Sequence, residues 1–478
     1  MPPEDGNPLK VLHVSDIHLG SGLSHGRTNP ATGLNTRLED FAAALVHCVD
    51  QALAHAVDAV LFTGDAFPDA TPPPLVQELF ARQFYRLAQA QIPTLLLVGN
   101  HDQRAQGQGG ASLCIFRTLG VPGVIVGDSL ETHRLSTPHG PLQVVTLPWI
   151  TRAALMTRPE VEGLSMAEVN EALLQRLHLA LEGELRQLDP AVPAILAGHA
   201  MVANARLGAE RFLAAGKGLL IPLSLLARAE LCYVALGHVH RHQVLCQEPP
   251  VVYAGSLERV DFSETEEEKG YVLVEIEAPG RPARFTFCPV PTRPMHSLSV
   301  NLEKATDPEA QILATLAQAN LQDAIVRLTY RLRPDQLDQI RESVLHQALG
   351  VAHSYTIQPD LVSQLARPRL PDLPLTRSLD PLTALEEYLN LRPELEALRA
   401  DLLRTAQSLL QAEAETEVAT GRPAVTPELV SSEPHAPSPG LEAGGSPEAG
   451  SEGPVDGSPG GKRRRPAGRA KSSQLPLL

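Results

Sequence analysis

Six short apolar runs punctuate the chain between Val11 and about Val290: VLHVS, AVLFTG, TLLLVG, QVVTLPWI, PAILAGH and CYVALGH. They are β-branched or Leu-rich, and most stop at a glycine or a polar residue, which predicts strands. Between the first of them lie TRLEDFAAALVHCVDQALAHAV and PPLVQELFARQFYRLAQAQ, whose apolar residues recur at helical spacing. Strands alternating with helices predict an α/β domain with a largely parallel core. Ligands of such sheets sit beyond the C-terminal ends of the strands.

From about Met295 to Val362 the pattern becomes βαβαβ. LSVNL, AIVRLTYRL and SYTIQPD are the strands, with PEAQILATLAQA and PDQLDQIRESVLHQAL as the helices between them. A Pro-broken stretch, ARPRLPDLPLTRSLD, precedes a further helical region near 380–411. There Asp380 can cap, with Pro381 at the first helical position. Leu395, Leu398, Leu402, Ala406 and Leu409 form a seam at spacings of three and four. That seam suits packing on the chain's own domain and docking of a partner helix equally well. From about Glu415 to the end the sequence is rich in Pro, Gly, Ser and Glu, and is expected to be disordered.

The 478 residues include 42 Pro and 35 Gly, an excess of breakers that fits loops and a disordered stretch, with 43% hydrophobic residues available for a core. The net charge of −15 argues against a surface that coats nucleic acid wholesale, although bound cations reverse the charge locally. Five cysteines (Cys48, Cys114, Cys232, Cys246 and Cys288) without a C-x-x-C are read as reduced thiols of a cytoplasmic protein. No secretory signal and no membrane-spanning apolar run is visible.

The chemistry lies where the strands stop. VLHVSDIHLG places Asp16 and His18 two residues apart, on one side of an extended segment. FTGDAF ends at Asp65, LLVGNHDQ at Asn100, His101 and Asp102, ILAGHA at His199, and ALGHVHRH repeats the two-residue spacing with His238 and His240. Each cluster alone is weak, because a lone histidine after a strand is usually a hydrogen-bonded loop residue. Five in order, four with glycine just ahead, point to a metal centre. Two divalent ions about 3.5–4 Å apart serve in-line displacement at phosphorus. A carboxylate suits the bridging position between them, for which Asp65 is the best candidate. Nitrogen and hard oxygen donors without thiolate suit Mn²⁺, Fe or Zn²⁺ better than a Mg²⁺ or Ca²⁺ cage, and Mn²⁺ is the expected ion.

These motifs resemble those of the calcineurin-like metallophosphoesterases. The narrower resemblance, to the SbcD/Mre11 family of DNA-repair nucleases, comes from YVALGHVHRHQVL followed by VVYAGSLERVDFSETEEEKGYVLVEI. It covers about residues 9–411. The fold it implies is an α/β calcineurin-like metallophosphoesterase sandwich with a small βαβαβ capping domain, C-terminal helices and a disordered tail. The corresponding boundaries are 1–290 for the nuclease domain, 291–365 for the cap, 366–414 for an ATPase-docking segment and 415–478 for the tail. The resemblance implies one ion on Asp16, His18, Asp65 and His240, and another on Asp65, Asn100, His199 and His238. His101 would be the catalytic histidine and Asp102 would orient it. The implied partners are DNA and an SbcC/Rad50-like ATPase, with a homodimer of this chain inside a heterotetramer. The sequence departs from archaeal and eukaryotic relatives at Pro68, where they often carry a second histidine, and Asp69 stands beside it.

Other residues carry plainer expectations. His13 is read as a packed, hydrogen-bonded histidine, His25 and Arg27 as loop residues, His242 as a follower of its motif, and Trp149 as core. Arg259 is a candidate DNA contact, and the basic cluster Lys462–Arg465 is solvated or touches DNA. Gln474, Leu475, Leu477 and Leu478 at the terminus look like a peptide that binds the bacterial sliding clamp. Two competing functions remain. A phosphatase or cyclic-nucleotide phosphodiesterase would lack the βαβαβ segment and docking helices, and a non-enzymatic scaffold would have lost a ligand.

Overall fold

The computed structural model describes residues 8–103, 110–150, 165–206, 208, 219–362, 381–390, 395 and 398–408. The chain divides into two compact units, Met1–Pro368 and Arg369–Leu478. The first begins with β1 (Leu9–Val14), α1 (Thr36–Ala54), β2 (Ala59–Phe62), α2 (Pro74–Gln89), β3 (Thr94–Leu97), α3 (Cys114–Leu119) and β4 (Val124–Gly127). It continues through β5 (Glu131–Thr137), β6 (Gly140–Leu147), α4 (Met166–Leu185), β7 (Ala194–His199), β8 (Met201–Val202), β9 (Leu220–Ile221) and α5 (Leu223–Leu226). Then follow β10 (Tyr233–Gly237), β11 (Gln243–Gln247), β12 (Pro250–Tyr253), β13 (Gly270–Ile276) and β14 (Arg284–Pro289).

Twelve of these strands build two six-stranded sheets, ordered β14-β13-β1-β2-β3-β4 and β11-β12-β10-β7-β6-β5, and β8 pairs with β9 apart from them. The runs β1-β2-β3-β4 and β6-β7-β10-β12 pair in parallel, while β13, β14, β11 and β5 join antiparallel. The period-two alternation of side chains explains why these strands read as continuous apolar runs. Val11, Leu61 and Leu95 face Val144, Ile195 and Ala235 across the space between the sheets. Their neighbours Leu12, Phe62 and Leu96 pack outward against Phe41, Leu45, Phe80 and Phe84 of α1 and α2. On the far side Leu196, Val234 and Leu236 pack against Leu177, Leu181 and Leu185 of α4. With both faces of each sheet covered, polar groups collect at the strand ends.

The βαβαβ segment folds as read from the sequence, with one correction. β15 (Met295–Asn301), α6 (Pro308–Gln318), β16 (Ile325–Leu332), α7 (Glu342–Leu349) and β17 (Ser354–Leu361) form a parallel three-stranded sheet with its own apolar core. The expected single helix over PDQLDQIRESVLHQAL is interrupted. Pro334–Gln339 forms a 3₁₀ turn, and Ile340 and Arg341 are extended before α7 starts. Glu309 accepts from the Arg341 backbone N–H and guanidinium, which holds the break in place. The segment seats on the N-terminal end of α1, where His353 Nε2 lies 2.7 Å from Thr36 Oγ1 and Arg293 pairs with Asp40.

In the second unit α8 (Pro381–Asn390) is helical, as are residues 399–408. Leu398 and Leu402 of the expected seam are exposed. Asp380, Leu409, the tail from 415, Lys462–Arg465 and the terminal Gln474–Leu478 lie outside the described residues. No described helix is long and apolar enough to cross a membrane.

Candidate metal centre

Beyond the C-terminal ends of β1, β2 and β3 the chain turns sharply, and the turns lie side by side. Asp16 N–H donates to the Gly64 carbonyl at 3.0 Å and His18 N–H to the Asp65 carbonyl at 3.1 Å. Asp16 (φ 49°), His18 (φ 45°), Asp65 (φ 59°) and His238 (φ 98°) all occupy the left-handed region that non-glycine residues avoid. Strain repeated at four polar residues in one place marks a functional site. The glycines ahead of the motifs have a steric reason. A Cβ on Gly64 would lie 2.3 Å from His199 Nδ1, and one on Gly99 would lie 2.2 Å from Asp65 Oδ1. Each glycine lets a ligand from another strand come close.

Two groups of potential donors gather there. In each, one atom from every residue lies within 4.8 Å of the others: Asp16, His18 and His240 form one group, and Asp65, His199 and His238 the other. All six residues are buried. His18 Nε2 stands 3.0 Å from His240 Nε2, 4.0 Å from Asp16 Oδ1 and 3.8 Å from Asp65 Oδ2. On the other side Asp65 Oδ2 is 3.3 Å from His199 Nε2, and Asn100 Oδ1 lies 2.9 Å from His199 Nε2 and 2.8 Å from His238 Nδ1. Asp65 therefore stands between the groups, and Asn100 joins the second. The seven expected ligands are all brought together.

The donor chemistry asks for cations. His199 Nδ1 donates to the Thr63 carbonyl at 2.7 Å, which leaves the lone pair of Nε2 facing two oxygens, Asp65 Oδ2 and Asn100 Oδ1. Burial alone would depress the His199 imidazole, but Asp65 and then Asp16 raise it to about 9. A pocket that makes an imidazole hold a proton is one that demands positive charge. Likewise His240 Nδ1 donates to Glu264 Oε1 at 2.7 Å, so its Nε2 lone pair meets His18 Nε2 with no proton of its own to offer. Burial and then His240 depress His18; burial and then His199 depress His238, to about 3. Neutral imidazoles are the form that binds metal. Two nitrogens about 2.1 Å from one ion and at right angles to each other would lie about 3 Å apart, the spacing of His18 and His240. Burial would raise Asp65, yet His199, His18 and His101 hold it far below the usual carboxylate range.

His101 lies beside the first group, its ring 5.0 Å from that of His18 and edge-to-face with it. With Asn100, Pro68, Asp69 and Gln103 it lines an open cleft of about 530 Å³. The role expected for Asp102 is corrected here. His101 Nδ1 donates to the Pro68 carbonyl at 2.8 Å, whereas the buried Asp102 carboxylate accepts the backbone N–H groups of Asp65, Ala66 and Gly99 at 2.9–3.0 Å. Asp102 thus fixes the turn that carries Asp65, and a backbone carbonyl orients His101. Burial and the Asp65 charge push the Asp102 carboxyl upward, against the pull of those amides.

Two further residues are placed. The Arg259 guanidinium donates to Thr292 Oγ1 and to the carbonyls of Glu264 and Glu267, which ties its own loop together. Trp149 is half-buried rather than core: its ring lies over His238, with centroids 4.7 Å apart, at the edge of the second group. His13 does hydrogen-bond inside the sandwich, to Tyr233 and Thr63, and His242 stacks on Phe287. The sequence reading missed Ser15, which donates to Asp16 Oδ2 at 2.5 Å, and the buried pair Glu264 and Lys269 behind His240.

Residues 9–242 match the family model described as calcineurin-like phosphoesterase. Among curated proteins the chain is 28% identical over 307 residues to the SbcD component of the SbcCD nuclease of Escherichia coli (strain K12), covering 62% of this chain and 72% of that protein. It is 27% identical over 290 residues to the corresponding SbcD component of Bacillus subtilis (strain 168), covering 58% and 68%. Over 114 residues it is 37% identical to the DNA double-strand break repair protein Mre11 of Haloferax volcanii, covering 23% of each chain. Residues 9–242 are thus a calcineurin-like phosphoesterase domain, and over the spans given the chain is similar to SbcD and Mre11. Within the phosphoesterase, both donor groups fall inside the matched residues 9–242, and Glu264 and Lys269 lie beyond them.

Proposed function

We propose that the protein is a metal-dependent DNA nuclease that works as a subunit with an SbcC/Rad50-like ATPase in processing broken or hairpin DNA ends. The observation that carries this reading is the placement of Asp65 between two cation-demanding donor groups, with His101 and Asn100 opening onto a cleft. Asp16, His18, Asp65 and His240 would hold one ion, and Asp65, Asn100, His199 and His238 the other, with Mn²⁺ favoured by the nitrogen and oxygen donors. When bound, such a pair lowers the pKa of an attacking water and neutralises charge on the phosphodiester in flight.

The chain's own residues do the rest. Asp102 holds the Asp65 turn rigid, so that Asp65 stays between both groups. Because His101 Nδ1 is engaged by the Pro68 carbonyl, Nε2 is the nitrogen left to exchange a proton with the leaving oxygen. The boundaries 1–290, 291–365, 366–414 and 415–478 serve as the working division into nuclease domain, cap, ATPase-docking segment and tail. The exposed Leu398 and Leu402 support docking by the third of these. A homodimer within a heterotetramer, a cytoplasmic location and a sliding-clamp contact through the terminal residues belong to the same reading.

The test is degradation of a labelled linear duplex with and without Mn²⁺, beside His101→Ala and a chelator control. Cleavage that needs Mn²⁺ and falls roughly 10²–10⁴-fold in the variant is expected. If DNA stays intact, also with the ATPase partner present, while a small phosphodiester is hydrolysed, the DNA reading is wrong.

A further inference from the structure

The two donor groups are backed differently. His199 Nδ1 rests on a backbone carbonyl, and His238 Nε2 is buried without a hydrogen-bond partner. His240 Nδ1 instead meets a carboxylate, Glu264 Oε1, at 2.7 Å. That carboxylate cannot turn away. Its other oxygen, Oε2, accepts from Lys269 Nζ at 2.8 Å and from the Val260 N–H at 3.0 Å. Lys269 Nζ also donates to Glu267 Oε2 at 2.8 Å and to the carbonyl of His240 itself at 3.1 Å, so all three of its protons are used. The Lys269 side chain has no exposed surface. A lysine taken wholly out of water is retained only where compensating charges and hydrogen bonds meet it, and here they brace one histidine through both its ring and its backbone.

We propose that Glu264, braced by Lys269, is a positioning residue for His240 and makes the Asp16–His18–His240 site the tighter of the two divalent-ion sites. This rests on the two-ion reading given above. A carboxylate behind an imidazole fixes its tautomer, so that Nε2 carries the lone pair, and raises its basicity as a ligand. Counting the shared Asp65, the first site has two carboxylates and a carboxylate-backed histidine. The second has one carboxylate, one amide and two histidines backed by no carboxylate among the described hydrogen bonds. Charge and ligand basicity both favour the first site.

The test is calorimetric titration of the metal-stripped full-length protein with Mn²⁺, with tryptophan fluorescence followed in parallel. Trp149 is the only tryptophan in the chain and lies over His238, so its signal tracks the second site. The wild type is expected to bind two ions in two steps, with the fluorescence change on the weaker one. Glu264→Gln keeps an oxygen for the His240 Nδ1–H and leaves Lys269 with Glu267 and the His240 carbonyl. It should weaken the tight step roughly 10–100-fold and leave the fluorescence step in place. Glu267→Gln, which touches Lys269 but not His240, should leave both steps unchanged. Should Glu264→Gln melt early, Glu264→Gln combined with Lys269→Met removes both charges and is expected to show the same selective weakening. The assignment is overturned if either Glu264 variant binds like the wild type, or weakens both steps equally. A wild type that binds no pair of ions overturns the two-ion reading, and the assignment with it.

Discussion

Asp65→Ala is expected to lower phosphodiester hydrolysis at saturating Mn²⁺ by at least about a thousandfold, roughly 4 kcal/mol of transition-state stabilisation. Its carboxylate is the group common to both donor sets: Oδ2 lies 3.3 Å from His199 Nε2 and 3.8 Å from His18 Nε2. Its Oδ1 accepts the backbone N–H of His101 at 2.8 Å, so the substitution also frees the segment that carries the proposed acid. Removing any terminal ligand damages one site, whereas removing Asp65 damages both and the space between them. Raising Mn²⁺ a hundredfold should therefore not restore the rate of Asp65→Ala, although it would rescue a variant that merely weakened one ion. Steady-state rates on a small phosphodiester, measured across that range of Mn²⁺, check this. A variant that retains a tenth of the wild-type rate would show that Asp65 is not the shared group.

Asp102→Ala should lose stability before it loses chemistry. The carboxylate accepts three buried backbone N–H groups, from Asp65, Ala66 and Gly99. Truncation leaves them without a partner, at about 1–3 kcal/mol each, so a loss of about 3 kcal/mol or more is expected in denaturant unfolding. Asn in that position keeps one acceptor oxygen and should fall between the two. Activity is expected to fall with the folded fraction and, through the loosened Asp65 turn, further than it, because Asp102 acts on that turn and not on His101. If Asp102→Ala instead unfolds like the wild type and only its rate falls, Asp102 takes part in the chemistry.

The legibility of this protein from its sequence is uneven for physical reasons. The seven ligand candidates could be read because a sandwich covered on both faces leaves only its strand ends for polar chemistry. The close approaches at Gly64 and Gly99 also oblige the chain to put glycine just ahead. The βαβαβ segment could be read because α6 and the three strands keep clean periods. The break at Ile340 and Arg341 could not, since it depends on Glu309, thirty-two residues from Arg341, reaching across to the Arg341 backbone. Asp102 was misread because adjacency to His101 in sequence suggested contact, while its real partners Asp65 and Ala66 come from the neighbouring strand end. Glu264 sits within SETEEEKG, where four glutamates look alike on paper and only the fold turns one of them inward. Trp149 was likewise decided by a distant partner, His238. Patterns of period and spacing reveal what is local, and the groups that brace a site are not.

The most direct measurement is anomalous diffraction from crystals of the protein soaked in Mn²⁺. Two peaks about 3.5–4 Å apart are expected on either side of Asp65, one against Asp16, His18 and His240 and the other against Asn100, His199 and His238. A single peak, or peaks away from Asp65, would contradict the paired centre on which the account rests.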